Sequence, residues 1–101
     1  LEPSDYAAVT DRQVLVRLVA NTRLRALRDE RHAEALEAVE DLLTLAGDDP
    51  MLRRESGLLR ARLGQIRGAI ADLERFLAGD PPAELRNETA LIVQRLRSRL
   101  S

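Results

Sequence analysis

The side chains most able to do chemistry in this sequence are one histidine, a few serines and a group of carboxylates. The 101-residue chain has no cysteine, which excludes a thiol nucleophile, a disulfide framework and cysteine-ligated zinc. His32 falls at the turn between the first two helical segments, where a surface or capping role is expected, and no serine has a histidine at a suggestive spacing. The sequence therefore predicts no catalytic residue, no metal and no cofactor.

Two further groups of residues could form a site: a cluster of carboxylates and a stretch with two glycines. Acidic side chains on the polar side of the second helical segment are expected to form a solvated face; an acid/base pair or a metal cluster is the less favoured interpretation. These residues are Glu34, Glu37, Glu40 and Asp41. The Gly64–Gly68 stretch has no following Lys and no preceding strand, so it does not fit a phosphate-binding loop.

The composition indicates a single helical domain. Apolar residues make up 45% of the chain and aromatics 2%, so Leu and Ala must supply most of the core, and both favour helix. The net charge is -1 and all 16 basic residues are Arg, which gives no overall reason to expect nucleic-acid or membrane binding. No signal peptide or membrane-spanning segment is recognisable, and a cytoplasmic location is expected. The chain starts at Leu1 without Met, which we interpret as a piece of a longer protein.

Apolar periodicity predicts five helices and no strand. Thr10 with Gln13 forms a capping box at the start of the first helix, Asp49-Pro50 opens the third, and Gly64 and Gly79 end the third and fourth. In the first helix the apolar positions Val14, Leu15, Leu18, Val19, Leu24 and Leu27 recur at helical spacing. The predicted helices cover residues 11–29, 31–46, 50–63, 66–78 and 82–99. The fold class is all-α, an antiparallel five-helix repeat array.

A repeat with an offset of 34 residues relates the stretch 35–43 to the stretch 69–77, small on small and apolar on apolar. This is the period of the tetratricopeptide repeat. The second copy is the better one, with Gly57, Gly64 and Ala69 at positions that need small residues; the first has Arg23 and Glu30 instead. We predict a linker at 1–10, a degenerate repeat at 11–46, a second repeat at 47–81 and a capping helix at 82–101.

Two further stretches point to a more specific resemblance within the repeat family. They are the motif Arg17-x-x-x-Asn21 and the run from Arg53 to Leu59. With the stretches 36–45 and 68–77, they resemble the C-terminal part of SirB-type bacterial proteins, which carry a transglutaminase-like domain followed by a tetratricopeptide-like tail. The resemblance covers residues 9–100. The resemblance implies that the transglutaminase-like catalytic region lies upstream of this chain. The chain itself would then be non-catalytic.

Charge is segregated along the chain. Residues 29–49 hold eight acids and one Arg, and residues 50–70 hold five Arg and one acid. Attraction between helices of opposite charge is one interpretation. The other is a groove for a protein or peptide, in which Arg and Asn side chains fork onto carboxylates. Repeat geometry places the partner-binding residues at Arg17, Asn21, Leu24, Arg28, Arg54, Leu58 and Arg62.

Three classes of binding function remain open. A protein-interaction module that binds its own upstream domain or a partner peptide is the leading hypothesis. The alternatives are an Arg-rich nucleic-acid-binding module, disfavoured by the lack of aromatics for base stacking, and self-association. The last helix has a polar outer face typical of a cap, so a monomer is expected.

Overall fold

The computed structural model of the protein describes residues 11–100 and shows five helices joined by short connections. They are α1 (Asp11–Arg28), α2 (His32–Ala46), α3 (Pro50–Arg62), α4 (Ile66–Ala78) and α5 (Ala83–Leu100). No strand occurs in this part of the chain. The all-α prediction is confirmed, and the predicted helix ends agree to about a residue. The capping residue Thr10 lies outside the described residues.

The helices form two compact units that divide between Gly47 and Asp48. In the first unit α1 packs against α2, and in the second α4 packs against both α3 and α5. Among residues 11–100 no helix has both the length and the apolar character needed to cross a bilayer.

In the first unit, only part of the apolar surface of α1 is buried. Ala26 is fully buried, whereas Val14, Leu15, Leu18 and Leu24 are all more than two-fifths exposed. Helix α1 has apolar residues on more than one side, and packing against one neighbour within its unit covers only one of them. These four side chains therefore keep the helical spacing of the apolar pattern but stay exposed.

In the same unit, a side chain of α1 caps the C-terminal end of α2. The guanidinium of Arg12, near the start of α1, donates from Nε to the carbonyl oxygen of Leu45 at 2.6 Å. Leu45 lies in the last turn of α2, where carbonyl oxygens have no partner within the helix. Arg12 thereby caps α2 from the neighbouring helix.

The second unit has its own apolar core. One cluster of buried residues comes from α4 and α5, with residues of α3, α4 and α5 packed around it, and Leu59 of α3 is also buried. Ala69, Ile70, Leu73 and Phe76 are the buried apolar residues of α4, and Thr89 of α5 is fully buried. The buried residues of the cluster are Ala69, Ile70, Leu73, Val93 and Leu96.

Helices α3 and α4 are in close contact at Gly57. A Cβ atom at this position would lie 2.7 Å from Cγ of Leu73 and 3.2 Å from the carbonyl oxygen of Ala69. Leu73 is fully buried and cannot move aside, so the contact requires glycine in α3.

The two helical hairpins close with the same turn, 34 residues apart. Glu30 and Gly64 both adopt left-handed backbone, with φ of 57° and 79°. The next amide donates back to the fifth residue before it in both, Arg31 to Ala26 and Gln65 to Arg60, each at 2.8 Å. This is the Schellman arrangement of a helix C-terminus. The repeat read in the sequence is therefore also a repeat of backbone geometry, although the first copy lacks the glycine.

Candidate protein-interaction surfaces

Four of the seven predicted partner-binding residues lie on one helix, α1. Arg17, Asn21, Leu24 and Arg28 follow the spacing i, i+4, i+7 and i+11, which places them on one face of a helix. All four are exposed, and Leu24 keeps 57% of its accessible surface. Arg28 lies 3.4 Å from Asp29 in an exposed contact, whereas Arg17 forms no ion pair within residues 11–100. We call Arg17, Asn21, Leu24 and Arg28 the α1 donor row.

The other three predicted residues lie on α3 and differ in their surroundings. Arg62 is exposed, and Leu58 is half-buried against the core of the second unit. Arg54 is only 13% exposed; its Nε donates to Oγ1 of Thr89 at 3.0 Å and its Nη2 to Glu88 at 3.2 Å. Its guanidinium carbon lies 6.0 Å from the centre of the Phe76 ring. Arg54 is thus already engaged inside the second unit.

A buried carboxylate, Asp72 of α4, organises the polar contacts between α3 and α4. Its Oδ2 accepts from Oγ of Ser56 at 2.6 Å and from Nε of Arg60 at 3.1 Å, and Arg53 donates to Oδ1 at 3.4 Å. Burying a carboxylate is costly unless it is bonded in this way. Asp72 does not stand out in the sequence because acidic residues on a helix normally face solvent. Its buried partner Ser56 is polar as well, so neither residue continues an apolar pattern.

Asp48 joins the start of the second unit to both helices of its hairpin. One carboxylate oxygen accepts from Nη2 of Arg53 at 2.9 Å and the other from Nη2 of Arg75 at 2.8 Å. The hydrogen bond from Arg53, with the nearby positive charge of both arginines, lowers the pKa of Asp48. Asp48, from the acidic stretch 29–49, is therefore paired with arginines of its own unit, as the interpretation of attraction between opposite charges expects.

His32 is the first residue of α2, and the residue before it, Arg31, makes no side-chain capping bond. The ring nitrogen Nδ1 of His32 is buried with no hydrogen-bond partner in the described part of the chain. The predicted solvated face of α2 is confirmed, since all four of its acidic residues are exposed. Of these, Glu34 pairs with Arg31 at 2.7 Å.

Helical hairpins closed by equivalent turns 34 residues apart define a helical-repeat protein. Comparison with protein families agrees: the tetratricopeptide repeat family matches residues 22–101. The chain belongs to this family. Comparisons with curated proteins and with solved structures give no significant match. Repeats of this family generally act as protein-interaction modules, which makes exposed helix faces the surfaces of functional interest.

Proposed function

We propose that this chain is a non-catalytic protein-interaction module and the C-terminal tail of a transglutaminase-like protein. It binds its own upstream domain or a partner peptide through Arg17, Asn21 and Arg28 on α1. Of the three residues predicted on α3, only Arg62 is exposed, since Arg54 bonds within the second unit and Leu58 packs against its core. Membership of the tetratricopeptide repeat family supports the interaction role. The resemblance of the runs around Arg17 and Arg53 to SirB-type proteins supports the transglutaminase-like context.

The single observation that carries the proposal is the α1 donor row. A guanidinium offers several N–H donors in a planar fork that matches a carboxylate, and Asn21 adds an amide that both donates and accepts. Leu24 lies among these donors, so a partner can bury apolar surface while its carboxylates meet Arg17 and Arg28. A partner segment with acidic residues around an apolar side chain fits this face.

An amide NMR titration of the chain with the separately purified upstream region of its parent protein tests the proposal. We expect shifts clustered on the α1 donor row and on α3, and a loss of affinity of about tenfold in the Arg17→Glu/Arg28→Glu variant. Arg54 is left intact in this variant because its guanidinium already bonds within the second unit.

The control variant Arg67→Glu/Arg95→Glu changes the same charge at two exposed arginines outside the donor row. It should bind like the original chain, and both variants should keep its thermal unfolding midpoint. An equal loss of binding in the two variants would reduce the effect to net charge and contradict the assigned site. An unperturbed spectrum would exclude the upstream region as the partner and direct the same titration to acidic peptides.

A further inference from the structure

The two helices of the first unit form a second exposed surface, separate from the α1 donor row. A cavity of about 380 Å³ lies along their contact, lined by Val19 and Thr22 of α1 and by four residues of α2. We call these six lining residues the α1–α2 seam. The four from α2 are Glu34, Glu37, Ala38 and Asp41.

The seam continues into exposed apolar surface along α1. Leu15 precedes Val19 by four residues and Leu18 precedes Thr22 by four, so both extend the same side of the helix by one turn. Their side chains are 46% and 58% exposed. Large aliphatic side chains adjoining a cavity, with nothing in the described chain to cover them, are typical of a surface that packs against another element.

The charge at the seam determines which kind of partner fits. Its three carboxylates follow the spacing i, i+3 and i+7 on α2, and no basic residue lines the cavity. Glu34 pairs with Arg31, whereas Glu37 and Asp41 have no ion pair among residues 11–100. Within that range no three acidic or histidine side chains converge closely enough to hold a metal ion. The surface therefore suits an extended row of cations and not a single metal.

We propose that the α1–α2 seam binds an amphipathic helix of another protein, with its apolar stripe against Leu15, Leu18 and Val19 and its Lys or Arg residues facing Glu37 and Asp41. Helix α1 has 18 residues, so a partner helix of about five turns would run along its whole length. Such helix-in-groove binding uses apolar anchors at helical spacing, and the flanking charges set partner choice and orientation.

Two occupants from the chain itself have the wrong charge. Residues 1–10 contain Glu2 and Asp5 and no basic residue, so they would add negative charge to an acidic rim. Pairing of two seams from two copies would bring carboxylates against carboxylates. A second copy that presents a basic helix remains the competing occupant, and the oligomeric state reports on it.

Two synthetic amphipathic peptides of about five helical turns test the proposal by fluorescence anisotropy. They share one leucine stripe and differ in carrying Lys or Glu at the flanking positions. We expect the Lys peptide to bind and the Glu peptide not to. The Glu37→Gln/Asp41→Asn variant should weaken binding by about fivefold to tenfold, and Leu15→Gln/Leu18→Gln by about tenfold or more.

Matched variants elsewhere give the controls. Asp80→Asn/Glu84→Gln removes two exposed carboxylates, and Met51→Gln/Leu91→Gln removes two exposed apolar side chains that are 52% and 55% accessible. Both should leave peptide binding unchanged, as should Arg17→Glu/Arg28→Glu, because the donor row is a different face of α1. Circular dichroism melts of all variants exclude unfolding as the cause.

Three results would overturn the proposal. They are equal binding of the Lys and Glu peptides, equal losses in the seam variants and their controls, and loss of Lys-peptide binding on substituting the donor row. Light scattering distinguishes the competing occupant, since a dimer of the original chain that Leu15→Gln/Leu18→Gln dissociates would assign the seam to a second copy.

Discussion

At the scale of single residues, Arg54 shows how an arginine expected at a binding surface can instead be part of the packing. Its Nε bonds to Thr89, which is fully buried, and its guanidinium packs near Phe76. Removing it would leave a buried hydroxyl oxygen without its donor and expose part of an aromatic ring.

We therefore predict that Arg54→Ala lowers the free energy of unfolding by about 1–3 kcal/mol. Urea denaturation followed by circular dichroism measures it. Arg62→Ala, at an exposed position on the same helix, is the control and should change stability by less than about 0.5 kcal/mol. If the two variants were equally stable, Arg54 would be as dispensable to the fold as a surface arginine.

Asp48 makes the stability of the second unit depend on pH. The bond from Arg53 lowers the pKa of Asp48 below its ordinary value of 3.8, so the folded state favours the charged carboxylate. Its contribution is complete above that ordinary value and is lost as the pH falls through the lower value in the folded protein.

The Asp48→Asn variant tests this dependence through urea unfolding at a series of pH values. The variant should be less stable than the original chain at neutral pH, and the difference should shrink as the pH falls below 3.8. Asp41→Asn, which removes an exposed carboxylate without an ion pair among the described residues, controls for the loss of one charge. A difference that stayed constant into the acid range would show that the bond from Arg53 does not favour the ionised carboxylate.

At the scale of helices and turns, caps and helix ends are predicted correctly where the residue type has a single structural role. Asp49 accepts hydrogen bonds from the amides of Met51 and Leu52 and opens α3, as its position before Pro50 indicates. Gly64 has the left-handed backbone that its position after α3 requires. Caps and turns depend on a few neighbouring residues, so the sequence is enough to predict them.

The buried face of α1 and the carboxylate of Asp72 could not be predicted in the same way. Helix α1 has apolar residues on several sides, and the side that is buried depends on where its neighbour packs rather than on its own periodicity. Asp72 is stabilised by partners from another helix, Ser56 and Arg60, whose distance in the sequence gives no sign of contact. The same limit applies to the seam, since its carboxylates follow the pattern of an ordinary solvated face.

The turn of the first hairpin carries strain that the second does not. Glu30 has φ of 57° where the equivalent residue of the second hairpin is glycine, and a side chain in left-handed backbone costs about 1–2 kcal/mol. We predict that Glu30→Gly raises the free energy of unfolding by about 0.5–1 kcal/mol, the gain being reduced by the greater freedom of glycine in the unfolded chain.

The reciprocal substitution provides the control for that prediction. A Cβ atom at Gly64 would meet nothing within 4 Å, so Gly64→Ala isolates the backbone cost and should destabilise the chain by about 1 kcal/mol. Thermal melts of both variants measure the two effects. Shifts of the same sign would contradict the equivalence of the two turns.

At the scale of the whole molecule, the two units differ in how much of a core each one builds. In the second unit three helices pack around an apolar cluster. The first is a single helical pair, in which α2 buries five apolar residues but α1 buries only Ala26. In repeat proteins the free energy of unfolding is approximately the sum of each repeat's own stability and the energy of its contacts with neighbouring repeats. A pair of helices that pack through a single face is only marginally stable in water.

We therefore predict that a fragment spanning residues 48–101 folds by itself, with a helical circular dichroism spectrum and a cooperative thermal transition. A fragment spanning residues 11–47 should be largely unfolded at the same concentration, because a single helical contact does not offset the conformational entropy lost on folding. Circular dichroism of the fragment 11–47 in a helix-promoting cosolvent tests whether it retains its helical propensity. A cooperative transition in the fragment 11–47 would contradict the prediction, because it would show that the first hairpin forms a stable core by itself. The exposed leucines of α1 would then not be needed for folding.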